Sequence, residues 1–465
     1  MLALATLQPG SSDDGRPNPT LDDGSRVAVI GGGPAGSFFS YFLLDFAERI
    51  GTALHVDIYE PRDFTQPAPK GCNMCGGIVS ESLVQNLAAE GISLPPTVIQ
   101  RGLDSYVLHM DVGSVRIETP LHEMRIGAVH RGSGPRDVNE AKWESFDHYL
   151  QRLALAKGAC LVSKRVDEAR WEDGKPVICG RGSTPQRYDL VVGAVGVNSS
   201  ALKLFEGLGI GYRRPTVTKT LIREYCLGQE LIARTIGSSM HVFLLNIPRL
   251  EFAAIIPKGD YVTICLLGED IGDSLASSFV ESPEVRRCMP PGWRPADHSC
   301  QCLPHINIRG VDKPYANRFV FIGDCGVTRL YKDGIGAAYR VAKAAARTAV
   351  FDGISEDAFR RHFFPVCRTI ASDNRIGKLM FGFTRGVQQT RMARRAILRM
   401  TMAEQQRAPQ SRRMSAILWD LFSGSAPYQD ILRRALHPRF LGQLVWSVAA
   451  AALPRRVHRR HERVI

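Results

Sequence analysis

The chain has 465 residues, 44% of them apolar and 23% charged. That balance excludes a disordered or fibrous protein, and the length exceeds what one hydrophobic core supports. The net charge of +13 sits at one end: residues 366–465 carry 19 Lys and Arg against 5 Asp and Glu, a net of +14.

Residues 1–24 are polar and rich in Gly, Pro, Ser and Asp. They predict a disordered tail and lack the basic start and apolar core of a signal peptide. Next comes an apolar run, Arg26 to Ile30, that leads into Gly31-x-Gly33-x-x-Gly36. A helix-like segment, a second apolar run and an acid, Glu60, follow. Strand, glycine turn, helix, strand and acid together make a dinucleotide fingerprint. Gly31 allows the tight turn, Gly33 lets a pyrophosphate approach the backbone, and Gly36 lets the helix pack on the strands. Pro34 and Ala35 open the helix, whose free N–H groups face the phosphates. Glu60 is placed to accept hydrogen bonds from a ribose.

A glycine-rich loop, PKGCNMCGGIVSES, occupies residues 69–82 and holds Cys72 and Cys75. Alternation over 105–118 predicts a hairpin, residues 140–157 a helix, and 159–193 strands that end in DLVVGAVG, Asp189 to Gly196. Between 213 and 305 the runs HVFLLNIP, EFAAIIP and YVTICLLG predict an antiparallel sheet. Residues 318–346 repeat the first theme: an apolar strand, a Gly323-Asp324 turn and a small-residue helix. Asp324 can bind a sugar-like hydroxyl or cap a helix. The helix start at Gly334-Ile335-Gly336 can face an anion or the polar edge of a ring. A second such site so far from the first suits a long cofactor, FAD. Residues 355–465 read as helices with basic faces.

The expected fold is α/β. A Rossmann-like FAD-binding domain is discontinuous over 25–104, 130–212 and 306–354. An antiparallel β-sheet substrate domain covers 105–129 and 213–305, and a basic helical C-terminal region covers 355–465.

The fingerprint, the central DLVVGAVG and the late GDCG resemble the para-hydroxybenzoate hydroxylase class of flavoproteins. Within it the chain is similar to the geranylgeranyl reductase family. The residues that carry this are Cys75-Gly76-Gly77, the IPKGD at Ile256 to Asp260, and Asp324 with Asp333 to Ile335. The similarity spans residues 25 to 350, with an echo at LFSGSAPYQDILRR in the tail. The resemblance implies that Gly31, Gly33, Gly36 and Glu60 bind the ADP half of FAD, that Gly323 and Asp324 hold the ribityl chain, and that Gly334 and Ile335 lie beside the ring. Arg131 matches an arginine near the pyrophosphate. Two departures stand out. Ala194-Val195-Gly196 lacks the acid usual in the middle motif. Arg329-Leu330-Tyr331-Lys332 replaces a loop that usually carries proline, which puts Lys332 near the flavin edge.

The resemblance also places Cys75 in the substrate cavity against the flavin. A reductase of an isolated C=C needs a hydride on one carbon and a proton on the other, and a thiol, or a water it orders, can supply the proton. Cys72 completes a CxxC. A redox dithiol, a metal site with Cys300, Cys302 or His305, and a small buried thiol are all open readings for it; no metal is assigned. The run Glu251 to Lys258 can line an apolar tunnel or face an ordinary core.

The tail bears on location. Arg391, Arg394, Arg395 and Arg399 recur at helical spacing. Phe440 to Leu453 is apolar, too short to span a bilayer, and flanked by Arg433, Arg434 and Arg439 before and Arg455, Arg456, Arg459 and Arg460 after. It can lie on an anionic membrane or dock on the protein. No nucleic-acid motif occurs in the tail, so nucleic acid is not an expected partner. Eleven scattered cysteines predict reduced thiols in a cytoplasm-like compartment.

The expected activity is FAD-dependent reduction of C=C bonds in an isoprenoid or related apolar lipid. The electron donor is left open between NAD(P)H and a ferredoxin-like protein. The alternatives are a flavin monooxygenase acting on an apolar or aromatic molecule, and a non-catalytic flavin-containing adaptor.

Overall fold

The computed structural model describes residues 19–119, 124–136, 138, 142–295 and 300–452. Most of the expected N-terminal tail, and Arg455, Arg456, Arg459 and Arg460, lie outside the described residues.

The run Arg26–Ile30 is a strand because its β-branched residues can be covered on both faces. It pairs in parallel with His55–Tyr59 on one side and Leu190–Gly193 on the other. Cys160–Val162 extends the sheet at one edge. Phe319–Phe321 and the antiparallel Tyr315–Ala316 extend it at the other. The helix Pro34–Arg49 leaves the first strand through Gly33, with proline in its first turn. It packs on the late helix Gly334–Phe351, where Tyr339 meets Phe38 and Phe42 edge-on at 5.5 Å each. The two segments with a strand–glycine–helix pattern are therefore neighbours.

A second sheet has seven strands in the order Cys300–Cys302, Leu221–Cys226, Tyr261–Gly268, Leu250–Lys258, Ser239–Phe243, Ser105–Met110 and Gly113–Glu118. The predicted hairpin forms its last pair. Pairing is antiparallel except between Ser105–Met110 and Ser239–Phe243. Alternation divides the strand Leu250–Lys258 by face. Ala253 and Ile255 pack with Leu275, Phe279 and Val285 of short helices. Phe252, Ala254 and Ile256 face the other way, toward the C-terminal helices.

The predicted helix over 140–157 begins at Phe146, because the Ser145 hydroxyl caps it by accepting from His148 N at 3.3 Å. The C-terminal region is helical at Phe364–Gln389, Arg391–Gln405, Arg413–Ser423, Tyr428–Ala435 and Pro438–Ala452. Its arginine stripe is not uniformly solvated: Arg394 is buried and donates to both carboxylate oxygens of Asp111 at 2.6 and 3.0 Å. The last helix docks through Phe440 and Leu444 and exposes Leu441, Val445 and Trp446 on another face. Among the described residues no helix is long and apolar enough to cross a membrane.

Candidate active site

A cavity of about 550 Å³ lies between the two sheets and the C-terminal helices. Gly31, Gly33, Pro34, Ala35, Glu60, Cys75, Arg131, Gly323, Asp324, Gly334 and Ile335 all line it. Gly36 and Cys72 do not.

Gly31 has φ +110°, and a Cβ there would stand 2.4 Å from Ala194 O. At Gly36 a Cβ would stand 1.9 Å from Gly31 O, so this glycine closes the turn from behind. A Cβ at Gly33 would meet Asn73 Nδ2 at 3.3 Å and no backbone atom within 4 Å. No side chain caps the helix start at Gly33, leaving its first N–H groups to a ligand. Glu60 accepts from Gly32 N at 2.9 Å and Arg62 N at 3.0 Å. Burial pushes its carboxyl above the ordinary value, partly offset by those two N–H donors. These features fit the ADP half of a dinucleotide.

At the other strand end, Gly323–Cys325 forms a single 3-10 turn. Asp324 is not a helix cap; Asp333 takes that position before Gly334–Phe351. Burial pushes the Asp324 carboxyl up, while Thr328 and Arg131 hold it down in part. A buried carboxyl lining a cavity fits a hydroxylated chain such as ribityl.

The cysteine loop bridges the fingerprint and the antiparallel sheet. At one end Asn73 donates to Asp147 and accepts from Arg62. At the other a Cβ on Gly76 would meet Cys265 Sγ at 2.9 Å and Ile256 Cδ1 at 3.4 Å. A Cβ on Gly77 would meet Val129 O at 2.0 Å and Lys258 Nζ at 2.9 Å. CGG and PKGD, far apart in sequence, thus meet at a contact that only glycine permits.

Arg131 is held by the fully buried Asp147 through Nε and, at 2.9 Å, through Nη2. Its guanidinium also lies within electrostatic reach of the Cys75 side chain. Although burial opposes its charge, Asp147 and Cys75 raise its pKa above the usual arginine value. Cys72 and Cys75 are free thiols. Each sulfur accepts an N–H from its own turn, Met74 N at 3.2 Å and Gly77 N at 3.4 Å respectively. Burial pushes the Cys72 thiol to about 11, which leaves little thiolate for redox exchange.

Among the described residues Cys72, Cys75, Cys300, Cys302 and His305 do not come together with metal-ligand spacing. Among the described residues the one cluster with metal-ligand spacing is His109, His241 and Cys288, none of which lines the cavity. Hydrogen bonds already account for its imidazoles: Ser114 Oγ to His109 Nδ1 at 2.7 Å, His109 Nε2 to His241 Nδ1 at 2.9 Å, and His241 Nε2 to Ile236 O at 3.2 Å.

Beneath the cysteine loop lies a buried network. Lys258 Nζ donates to Glu224 Oε1 at 3.2 Å, and Thr263 Oγ1 donates to the same oxygen at 2.7 Å. His130 Nδ1 lies 3.6 Å from it. Burial would raise the Glu224 carboxyl, but Lys258 and His130 hold it below the usual carboxylate range. His130 itself is pushed down to about 4 by burial.

The far end of the cavity is apolar, lined by Ile222, Met240, Phe252, Ala254, Ile256 and Leu267 from the seven-stranded sheet. Phe422 and Ser423 from the tail close it with Tyr331 and Lys332. The late loop is clamped to the tail. Arg329 donates to Gly424 O at 2.7 Å and to Ala426 O, and Tyr428 Oη donates to Leu330 O at 2.6 Å. Asn374 Oδ1 accepts from Leu330 N at 2.9 Å. The tail echo LFSGSAPYQDILRR is therefore part of the cavity wall.

Sequence reading missed Asp147, Asn73 and Glu224. Asp147 left a faint signal, an acid in the first turn of a helix where a carboxylate is favoured. Glu224 left none, because its partners come from other strands.

No family model matches the chain, and no curated protein matches it by sequence. Solved structures do match. A geranylgeranyl bacteriochlorophyll reductase-like protein from Thermoplasma acidophilum aligns with TM-score 0.55 and 15% identity, over 92% of this chain and 99% of that one. The halogenase PltM in complex with phloroglucinol and FAD aligns at 0.57 and 11%, over 92% and 97%. The p-nitrophenol 4-monooxygenase PnpA from Pseudomonas putida aligns at 0.57 and 11%, over 87% and 100%. The chain therefore has the fold shared by this group of reductase-like, halogenase and monooxygenase proteins. At such identity the likeness defines the fold and no particular reaction.

Proposed function

We propose that the protein is an FAD-dependent oxidoreductase that saturates C=C bonds of an isoprenoid or related apolar lipid. The observation that carries this is the continuity of one cavity, from a glycine turn built for a dinucleotide, past Cys75, to an apolar chamber. FAD would be held by the turn at Gly31, Gly33 and Gly36, by Glu60 and Asp324, and by the helix start at Gly334 and Ile335; reduced, it supplies hydride. Cys75 holds the proton that the second carbon requires, and Arg131 stabilises the thiolate left when that proton departs. The apolar face excludes water and orients the chain. The donor is NAD(P)H bound transiently, or a ferredoxin-like protein.

An apolar lipid would be drawn from an anionic membrane. The helix Pro438–Ala452 supports this, with Val445 68% and Trp446 73% exposed next to Arg433, Arg434 and Arg439. A second reading, a monooxygenase of an apolar or aromatic molecule, is favoured by the aromatic end formed by Phe252, Tyr331 and Phe422. Oxygen separates the two. Chemically reduced, FAD-loaded protein should be reoxidised by polyprenyl lipid under nitrogen. Reoxidation that needs air, with an oxygenated product, would overturn the reductase reading.

A further inference from the structure

Lys332 closes the apolar end of the cavity, and its amine has nothing to bind. Nζ is buried and has no hydrogen-bond partner among the described residues. Its neighbours are two aromatic rings, with Nζ 4.8 Å from the centre of Phe252 and 4.4 Å from that of Phe422. The acid next in sequence is turned elsewhere. Asp333 accepts from Ser80 Oγ at 2.5 Å and from Arg340 Nη2 at 3.0 Å. Arg329, whose charge reaches Lys332, is itself spent on the carbonyls of Gly424 and Ala426. Tyr331 and Asp333 on either side both have positive φ, 59° and 53°, a conformation that non-glycine residues adopt at a cost.

A buried amine without a partner is costly. The two rings favour the ammonium form once a counter-ion arrives. Burial, aided by the Arg329 charge, holds the amine well below its ordinary value in the protein alone, so the group is poised to take up a proton.

We infer that Lys332 recognises one acidic O–H, a carboxyl or an acidic hydroxyl, on an otherwise apolar substrate. On binding, the substrate O–H bond breaks and an N–H bond forms on Nζ. A neutral acid and a neutral amine become an ion pair held between Phe252 and Phe422, with no net charge gained. One lysine matches one negative charge, which selects a monoacid over a multiply charged head group. This deepens the reading above and rests on it only in treating the cavity as a substrate site.

The test uses FAD-loaded protein and two acids with their neutral counterparts: decanoic acid with methyl decanoate, and 2-naphthol with 2-methoxynaphthalene. Binding is read by calorimetry, and bound 2-naphthol also by its naphtholate absorbance band. At least one acid should bind tenfold or more tightly than its neutral counterpart, and which one does so separates a carboxyl from a hydroxyl. Lys332→Met should erase the preference, and Phe252→Leu should reduce it. Equal binding of acid and neutral probe, binding of neither acid, or a preference that survives Lys332→Met overturns the inference. Flavin content of each protein, measured separately, tests the cofactor reading without touching this one.

Discussion

The two ends of the cavity are built by different means. The fingerprint end is made of backbone: a Cβ on Gly31 or Gly36 would clash with main chain, at Ala194 O and Gly31 O, while Gly33 leaves the backbone bare where a ligand would approach. The apolar end is made of side chains from distant segments, Phe252 from the sheet, Lys332 from the late loop and Phe422 from the tail. The first end tolerates almost no change of residue, whereas the second can be recut by single substitutions. A fold shared with halogenases, monooxygenases and a reductase-like protein can therefore keep one end and vary the other.

The sharpest break should come at the turn. Gly36→Val forces a Cβ to 1.9 Å from Gly31 O, which should cost at least about 3 kcal/mol and abolish flavin binding. Urea unfolding and flavin content check it; a stable, flavin-loaded variant would mean that the turn is not rigid.

The buried ion pair beneath the cysteine loop comes next. Lys258→Met strands Glu224 and should cost about 3–5 kcal/mol near neutral pH. The folded Glu224 value lies below its unfolded one. Its stabilisation is therefore present above the ordinary carboxylate value and lost as pH falls through the folded one. The gap between wild type and variant should narrow on acidification, as followed by chemical denaturation at several pH values.

Cys75→Ala should slow turnover by about a hundredfold while flavin stays bound, because the thiol sits beside the turn and is not part of it. Unchanged turnover would remove Cys75 from the proton path. Lys332→Met replaces an unpartnered amine with a side chain of similar length and should raise stability by about 1 kcal/mol, seen as a shift in the denaturation midpoint. Trp446→Ser should change stability by less than about 0.5 kcal/mol, yet weaken sedimentation with anionic vesicles; equal sedimentation would leave the last helix without a membrane role.

The same contrast explains what the sequence could disclose. The fingerprint was legible because its geometry is local: a strand, three glycines at fixed spacing and an acid. The hairpin over 105–118 was legible from alternation, and the other antiparallel strands from their apolar runs. Asp147 and Glu224 were not, since a lone acid carries no sign that Arg131 or Lys258 will meet it across the fold. The split of Phe252, Ala254 and Ile256 from Ala253 and Ile255 needed the sheet's two faces to be known. The arginine repeat disclosed a helix with a basic face, but not that Arg394 turns inward to Asp111, an acid at the end of a distant strand. The tail echo gained meaning only when Phe422 and Ser423 were seen in the cavity wall.

The central claim, hydrogenation of an apolar chain by the reduced flavoprotein, is tested most directly without oxygen. FAD-loaded protein is chemically reduced under nitrogen, mixed with a detergent extract of polyprenyl lipids, and the lipids are weighed by mass spectrometry. The expected result is lipids that have gained pairs of hydrogens, in amounts that track the reduced flavin consumed. Lipids of unchanged mass, followed by an oxygenated product once air is admitted, would contradict it.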